Sequence, residues 1–318
     1  MRAAKCILAA TLAAVSALAA AQSFPSRTVR FISGVTPGAA SDTMARILAE
    51  KLQARWGQPV VVENRLGAGG LVGAKYVAQS EPDGHTIMMY ASAFTVSTLL
   101  TPETLSPREL QPVATVATIP TIMITSPQKG YKSVADFVAA AKARPGRLAC
   151  SDAGVGSATH MNFERFRFSA GIEVLNVHTK GPSEALTEVL SGRADCYFAL
   201  VFQAKKMAEA GKLVALANGA PKRSSLMPEV PTTVELGYAG SDYDFWVGAL
   251  VPVKTPRELV ERLHDDITAV VESAEVSDHI RKLGADPLTM SVKDFEAKIA
   301  RELVDNAELI KRARITTN

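Results

Sequence analysis

Two stretches of this chain repeat one local grammar, and that repetition constrains the fold more than any other feature. An apolar run at Val29, Phe31 and Ile32 enters Gly34-Val-Thr-Pro-Gly-Ala-Ala-Ser-Asp42 and leaves as a helical pattern with Met44, Ile47, Leu48 and Leu52 on one face. Leu148-Ala-Cys150 enters Ser151-Asp-Ala-Gly-Val-Gly-Ser157 and leaves through His160 and Met161 toward Phe166. Each reads as a strand, a small-residue turn and a helix start. A helix start leaves about four backbone N–H groups without intrahelical partners and carries roughly half a positive charge, so small residues before it let an anion approach closely. Two such cradles, one in each half of the chain, predict a carboxylate held between two lobes.

The pattern around the cradles is that of an α/β protein with two mostly parallel sheets and flanking helices. Strand-like segments fall at 29–33, 60–63, 86–90, 122–125, 148–150, 174–177 and 195–200, with amphipathic stretches at 43–56, 70–80, 133–144, 159–170, 182–192 and 203–211. Pro82-Asp-Gly84, Pro145-Gly146, Gly211 and Gly237 punctuate them. A helix is expected from Pro256 to about Ser273, with Thr255-Pro256 as cap and first turn, followed by shorter helices after Ser277 and Ser291. This helical tail has no strands of its own to pack on, so it is expected to return to the first lobe. Domain one then comprises residues 22–120 and 243–318, domain two residues 121–242, with a hinge at two chain crossings near Thr118–Ile122 and Gly240–Trp246.

Residues 1–21 read as a secretory leader and stand outside the fold argument. Arg2 and Lys5 form a basic start, Ile7 to Leu18 an apolar run too short for the roughly 20 residues a bilayer requires, and Ala19-Ala-Ala21 a cleavage site. Cleavage near Ala21 is expected to release the mature chain into the periplasm. It removes two positive charges and no acidic ones, so the net charge of +3 becomes +1. No basic stripe or acidic tail is present, which argues against nucleic acid or an anionic membrane surface as a partner. Cys150 and Cys196 then remain, at the ends of strands that parallel pairing would make neighbours. Export makes a disulfide possible, and buried thiols stay open as the other reading, because bridging requires Cα atoms within about 7 Å.

Other chemistries find little support. Gly67-Ala-Gly-Gly70 with Gly73 departs from a dinucleotide fingerprint because Val72 holds the third glycine's position, and no acidic residue ends the next strand; a structural turn is the better reading. His85, His160, His178, His264 and His279 show no i, i+4 ligand spacing and the cysteines no CxxC, so neither a metal nor a cofactor is expected. Ser157 and His160 lie three residues apart, which keeps an exported hydrolase as the alternative class, although no G-x-S-x-G elbow is present. A Ser at that place is more commonly a helix N-cap. In the first cradle Pro37 fixes a turn residue, Gly38 permits positive φ, and Ser41 or Asp42 is placed to cap the helix. Ligands of open α/β sheets bind beyond the carboxyl ends of strands, where all these turns fall.

Taken together, Pro37-Gly-Ala-Ala-Ser-Asp42 with Arg46, Gln58-Pro-Val-Val-Val-Glu-Asn-Arg65, Gly67-Ala-Gly-Gly70, Pro82-Asp-Gly84, Gly156-Ser-Ala-Thr-His160, Lys180-Gly181, Ala210-Gly-Lys-Leu213, Arg223 and Met227-Pro-Glu-Val-Pro-Thr232 resemble the Bug-type extracytoplasmic solute receptors of tripartite tricarboxylate transport systems. The resemblance covers essentially the whole mature chain. It implies a two-lobe periplasmic binding protein of type II topology, non-enzymatic and monomeric, that closes on a small organic acid and docks on membrane permease subunits. It further implies a ligand held by the first-lobe turn (Thr36, Pro37, Gly38, Ala39, Ala40, Ser41, Asp42) and the second-lobe turn (Gly156, Ser157, His160). The rest of the site is implied at Ser92, Ala93, Thr179, Lys180, Gly181 and Ala199. Lys180 would add charge if it faced the ligand, although an exposed Lys is the commoner case.

Three departures bear on the ligand. Ala39 stands where many relatives have a second Gly; a positive φ there would cost roughly 1 kcal/mol. His178-Thr179 replaces the Pro-Tyr of many relatives before Lys-Gly. Ala199 replaces an Asp able to pair with a ligand ammonium, which argues against an amino acid.

Overall fold

The computed structural model describes residues 24–316, so the expected leader and its cleavage site lie outside the described residues. The chain builds two α/β lobes. In order it forms β1 (Val29–Ser33), α1 (Ala40–Trp56), β2 (Val60–Asn64), α2 (Leu71–Ala78), β3 (Thr86–Ala91), α3 (Ala93–Leu100) and β4 (Leu110–Thr118). Beyond the first crossing come β5 (Thr121–Thr125), α4 (Val134–Ala143), β6 (Ala149–Asp152), α5 (Ala158–Ala170), β7 (Leu175–His178), α6 (Pro182–Leu190), β8 (Cys196–Leu200), α7 (Val201–Glu209) and β9 (Val214–Asn218). The return brings β10 (Trp246–Pro252), α8 (Arg257–Glu272), α9 (Ala274–Lys282), β11 (Asp286–Pro287) and α10 (Val292–Ala313).

Both sheets are mixed, which corrects the expectation of mostly parallel ones. The first sheet runs β11-β4-β10-β3-β1-β2 and the second β7-β6-β8-β5-β9. β1 is parallel to β2 and β3, and β6 to β7 and β8. β10 and β5 are antiparallel to both of their neighbours. These are the two strands entered directly from a crossing. Each runs away from the hinge while the βα units beside it deliver their helix starts toward the cleft.

Four strands were not foreseen: β4, β9, β10 and β11. Pro112 argues against a strand in sequence, yet it pairs with Leu250 at a register shift, where an irregular ladder tolerates a missing N–H. Gly248 weakens the β10 pattern but is required there, since a Cβ would lie 2.8 Å from the Phe295 ring and 2.9 Å from the Ala114 carbonyl oxygen. The last helix is the longest of those described, at 22 residues, rather than a short one. Its apolar side, including Phe295 and Ile299, packs with Trp246 and Leu250 in the first lobe's core. α9 starts at the Ser273 cap, before Ser277, and α8 has no side-chain cap from Thr255.

The crossings lie side by side. The Ile119 N–H donates to the Phe245 carbonyl at 2.9 Å, and the Thr118 hydroxyl to Asp244 Oδ1 at 2.6 Å. Cys150 and Cys196 are register partners on β6 and β8, with Cα atoms 4.5 Å apart and their sulfurs joined.

Candidate functional site

β1 ends at Ser33 and hands the chain to the first cradle. Gly38 takes φ +84°, which favours glycine, whereas Ala39 sits at φ −71° and ψ 166°, extended backbone without strain. The feared cost of Ala39 is therefore absent. Ala39 is itself the N-cap residue of α1, and no side chain caps the helix. The Ala40, Ser41 and Asp42 amides have no acceptor among the described residues.

Neither Ser41 nor Asp42 serves as the expected cap. Both are buried behind the turn. The Asp42 carboxylate accepts from the Gly38 N–H at 2.8 Å, from Arg46 Nε at 2.9 Å and from Asn64 Nδ2 at 2.8 Å. Burial pushes its pKa up, but the hydrogen bonds from Arg46, Gly38 and Asn64 outweigh burial and hold the carboxyl below its usual range. Asp42 is a brace for the turn, and the Gly38 amide is spent on it.

The second cradle is built on β6. Asp152 Oδ1 accepts from the Gly154 N–H at 2.8 Å, and the Asp152 carbonyl from the Thr179 N–H at 3.1 Å, which ties the ends of β6 and β7 together. Ser157 is the N-cap of α5, its Oγ accepting from the His160 backbone N–H at 3.2 Å. The His160 ring is turned away from that hydroxyl. It is buried, and its Nδ1 accepts from the Gly156 N–H at 3.0 Å. Burial also lowers its pKa, so it stays neutral at neutral pH.

Between the cradles lies a cavity of about 810 Å³, inside the usual range for small-molecule sites. Four helix starts line it: Ala39 and Ala40 of α1, Ser157 and Ala158 of α5, Pro182 and Ser183 of α6, and Phe202 and Gln203 of α7. Helix starts carry partial positive charge, so the cavity favours an anion. The α1 start is the uncapped one, whereas α6 opens on Pro182, which has no N–H, and the Val201 N–H of α7 donates to the Pro120 carbonyl. Ile119 and Phe245 wall it beside the hinge; Lys282, Leu283 and Ala285 approach from the end of α9. Among the described lining residues Lys282 alone is charged, and none carries a carboxylate.

The predicted residues divide. Thr36, Pro37, Gly38, Ala39, Ala40 and Ser157 line the cavity. Ser41, Asp42, Ser92, Ala93, Gly156, His160, Thr179, Lys180, Gly181 and Ala199 are not among its lining residues, and their places explain why. Ser92 is buried, its Oγ accepting from the Tyr243 hydroxyl at 3.1 Å; Ala93 begins α3 against the first lobe's core. Gly156 abuts Leu100 and Val96 of α3. The Thr179 hydroxyl donates to the Asp152 carbonyl at 2.7 Å, Lys180 is exposed, and Gly181 precedes Pro182 of α6. Ala199 is fully buried beside Ile122 and Tyr197. The argument against an amino acid therefore passes from Ala199 to the cavity walls.

Phe202 and Gln203 escaped the sequence reading, although they follow β8 at a strand end of the same kind as the two cradles. Lys282 and Leu283 carried no signal, because only the return of the C-terminal helices brings them to the cleft. The fold also gathers Asp152, His160 and His178, with potential ligand atoms all within 4.8 Å of one another, a grouping that spacing alone did not suggest. His178 Nδ1 lies 2.8 Å from Asp152 Oδ2, and His160 Nδ1 is occupied by Gly156, so the cluster braces the second cradle.

Two hinged α/β lobes enclosing a cavity walled by helix starts define a solute-binding receptor. The chain belongs to the tripartite tricarboxylate transporter receptor family, whose model matches residues 44–315. It is 31% identical over 295 residues to protein BugT of Bordetella pertussis, covering 92% of this chain and 90% of that one. Among solved structures it is similar to Rpa4515 of R. palustris with adipate, at a TM-score of 0.78 and 28% identity over 92% of this chain and 99% of that one. It is similar also to MatC of Rhodopseudomonas palustris with bound malate, at a TM-score of 0.74 and 25% identity over 90% and 100%. The family is one of solute-binding receptors, not enzymes, so the hydrolase alternative is withdrawn. The protein is a periplasmic solute receptor for a tripartite tricarboxylate transporter. Among the described residues no helix is long and apolar enough to cross a membrane.

Proposed function

We propose that this receptor captures a small organic acid by clamping its carboxylate between the starts of α1 and α5, closes over it by rotation about the paired crossings, and presents it to its permease as a monomer. The lobes that move are residues 22–120 with 243–318 and residues 121–242, after cleavage of the leader near Ala21. The observation that carries this reading is that the uncapped start of α1 and the start of α5 border one cavity. Charge-assisted hydrogen bonds from fixed amides are roughly twice as strong as neutral ones, which suits a carboxylate. Solved relatives with adipate and malate support the same ligand class.

The test is an acidic cap. Ala39→Asp places a carboxylate at the N-cap of α1, where it stabilises the helix but occupies and repels the ligand's position. The expected result is an unchanged or higher melting temperature with loss of stabilisation by organic acids. In the natural protein that stabilisation is roughly 2.7 kcal/mol at a hundredfold excess over Kd. Retention of the full ligand-induced shift in the variant overturns the proposal.

A further inference from the structure

We infer that the acid this receptor takes has a hydrocarbon body, aryl or aliphatic, rather than one bearing hydroxyl or ammonium groups. The inference rests on the carboxylate reading above and concerns the walls beyond the two cradles. Six apolar side chains, Met44, Ile119, Leu200, Phe202, Phe245 and Leu283, make up most of those walls, with Thr43, Ser183, Gln203 and Lys282 the polar residues among them. Met44 and Leu283 come from the first lobe, Leu200 and Phe202 from the second, and Ile119 and Phe245 from the crossings. Phe202 and Leu283 are left 44% and 38% exposed, large apolar side chains from opposite lobes that line the same cavity. Water must cover them unless a ligand does. Phe202 is also positioned across the lobe boundary, since a Cβ at Gly284 would lie 2.8 Å from the Phe202 Cβ.

A ligand ammonium finds no carboxylate among the described lining residues, and it meets the positive ends of four helices, which disfavour a cation. A ligand hydroxyl turned toward Ile119 and Phe245 surrenders its water without gaining a partner, and only one placed at Gln203, whose buried Oε1 has no partner among the described residues, escapes that cost. A hydrocarbon body does the opposite. It covers all six side chains, and each methylene removed from water is worth about fourfold in affinity.

Titration calorimetry on the full mature protein tests this with one matched set: propionate, 3-phenylpropionate, 3-phenyllactate, phenylalanine, citrate and 3-phenylpropionamide. We expect 3-phenylpropionate to bind at least about tenfold more tightly than propionate, 3-phenyllactate or citrate, and more tightly still than phenylalanine. Phe202→Ala should lower the ratio of 3-phenylpropionate to propionate affinity by about tenfold, and Phe202→Leu should restore part of it. Tighter binding of citrate or phenylalanine than of 3-phenylpropionate overturns the inference, as does an unchanged ratio in Phe202→Ala. Equal binding of 3-phenylpropionamide and 3-phenylpropionate, with the ratio still sensitive to Phe202, sinks the carboxylate reading and leaves the hydrocarbon body standing.

Discussion

The Gly38 backbone N–H donates to the Asp42 carboxylate at 2.8 Å, so the turn that opens α1 is held by a side chain one helical turn further on. Asn64 completes the brace by donating both to Asp42 and to the Val35 carbonyl, at 2.8 and 2.9 Å. The shape of the first cradle is therefore set from behind, while its face toward the cavity stays free.

Asp42→Ala should cost roughly 1–3 kcal/mol by leaving the Gly38 and Asn64 donors without their acceptor. The share from Arg46 is modest, because that side chain is half-exposed. The native pKa lies below the ordinary 3.8, so as pH falls the unfolded chain takes up this proton first. The stabilisation is complete above about pH 4 and is lost as pH falls through the native value. Urea unfolding curves below pH 4 should be steeper in pH for the natural protein than for Asp42→Ala. Parallel curves would rule the brace out.

The strand pairing that joins Cys150 to Cys196 closes a loop with a sequence separation of 46. By chain entropy such a link is worth roughly 4 kcal/mol. The Cys150→Ala/Cys196→Ala double variant should lose about that much, and the natural protein should lose a similar amount under reductant. Mass spectrometry after alkylation without reduction should find no labelled cysteine in the mature protein. Two labelled thiols would remove this stabilisation from the account.

What was legible in the sequence was local. Pro37-Gly38 and the small residues before Ala158 announce a turn and a helix start, and five of the residues from Thr36 to Ala40 do line the cavity. What a side chain does after the turn was not legible. Asp42 and His160 carry functional groups at the positions a ligand contact would occupy, yet both face inward. Asn64 and Gly156, which hold them there, act through partners that a one-dimensional reading does not connect. The antiparallel insertion of β5 and β10 was hidden for a related reason. Sheet order depends on where the chain crosses between lobes, not on the strands' own alternation.

His160 gives a second pH signature, of the same sign but in a higher range. Burial, helped by the nearby positive charges of His178 and Arg167, lowers its pKa from 6.5 against the pull of Asp152 and Glu164. Between that lowered value and 6.5 the unfolded chain binds more protons, so stability falls as pH drops below about 6.5. His160→Asn offers a neutral acceptor to the Gly156 N–H and should flatten this part of the profile. The measurement is the urea midpoint at half-unit steps from pH 7.5 to about 5. An identical slope in the variant would assign the effect elsewhere.

Gly34 shows how the glycine-rich stretch after β2 serves the ligand site without touching a ligand. A Cβ on Gly34 would lie 2.5 Å from the Gly70 Cα and 2.7 Å from its carbonyl oxygen, both backbone atoms with no rotamer to move. The Gly70 turn cannot simply retreat, because the Tyr90 hydroxyl donates to the Gly69 carbonyl at 2.6 Å and a Cβ on Gly70 would itself lie 2.8 Å from that hydroxyl. Gly34→Ala must therefore push the β1–α1 turn outward, and Thr36 to Ala40 move with it. The expected cost is about 1–3 kcal/mol of stability together with weaker binding of the acid. Gly57→Ala is the contrasting substitution. Its φ is +65° with nothing within 4 Å of the new methyl, so it should cost about 1 kcal/mol at the end of α1 and leave binding unchanged. If Gly34→Ala binds as the natural protein does, the contact between the two turns has no role in positioning the cradle.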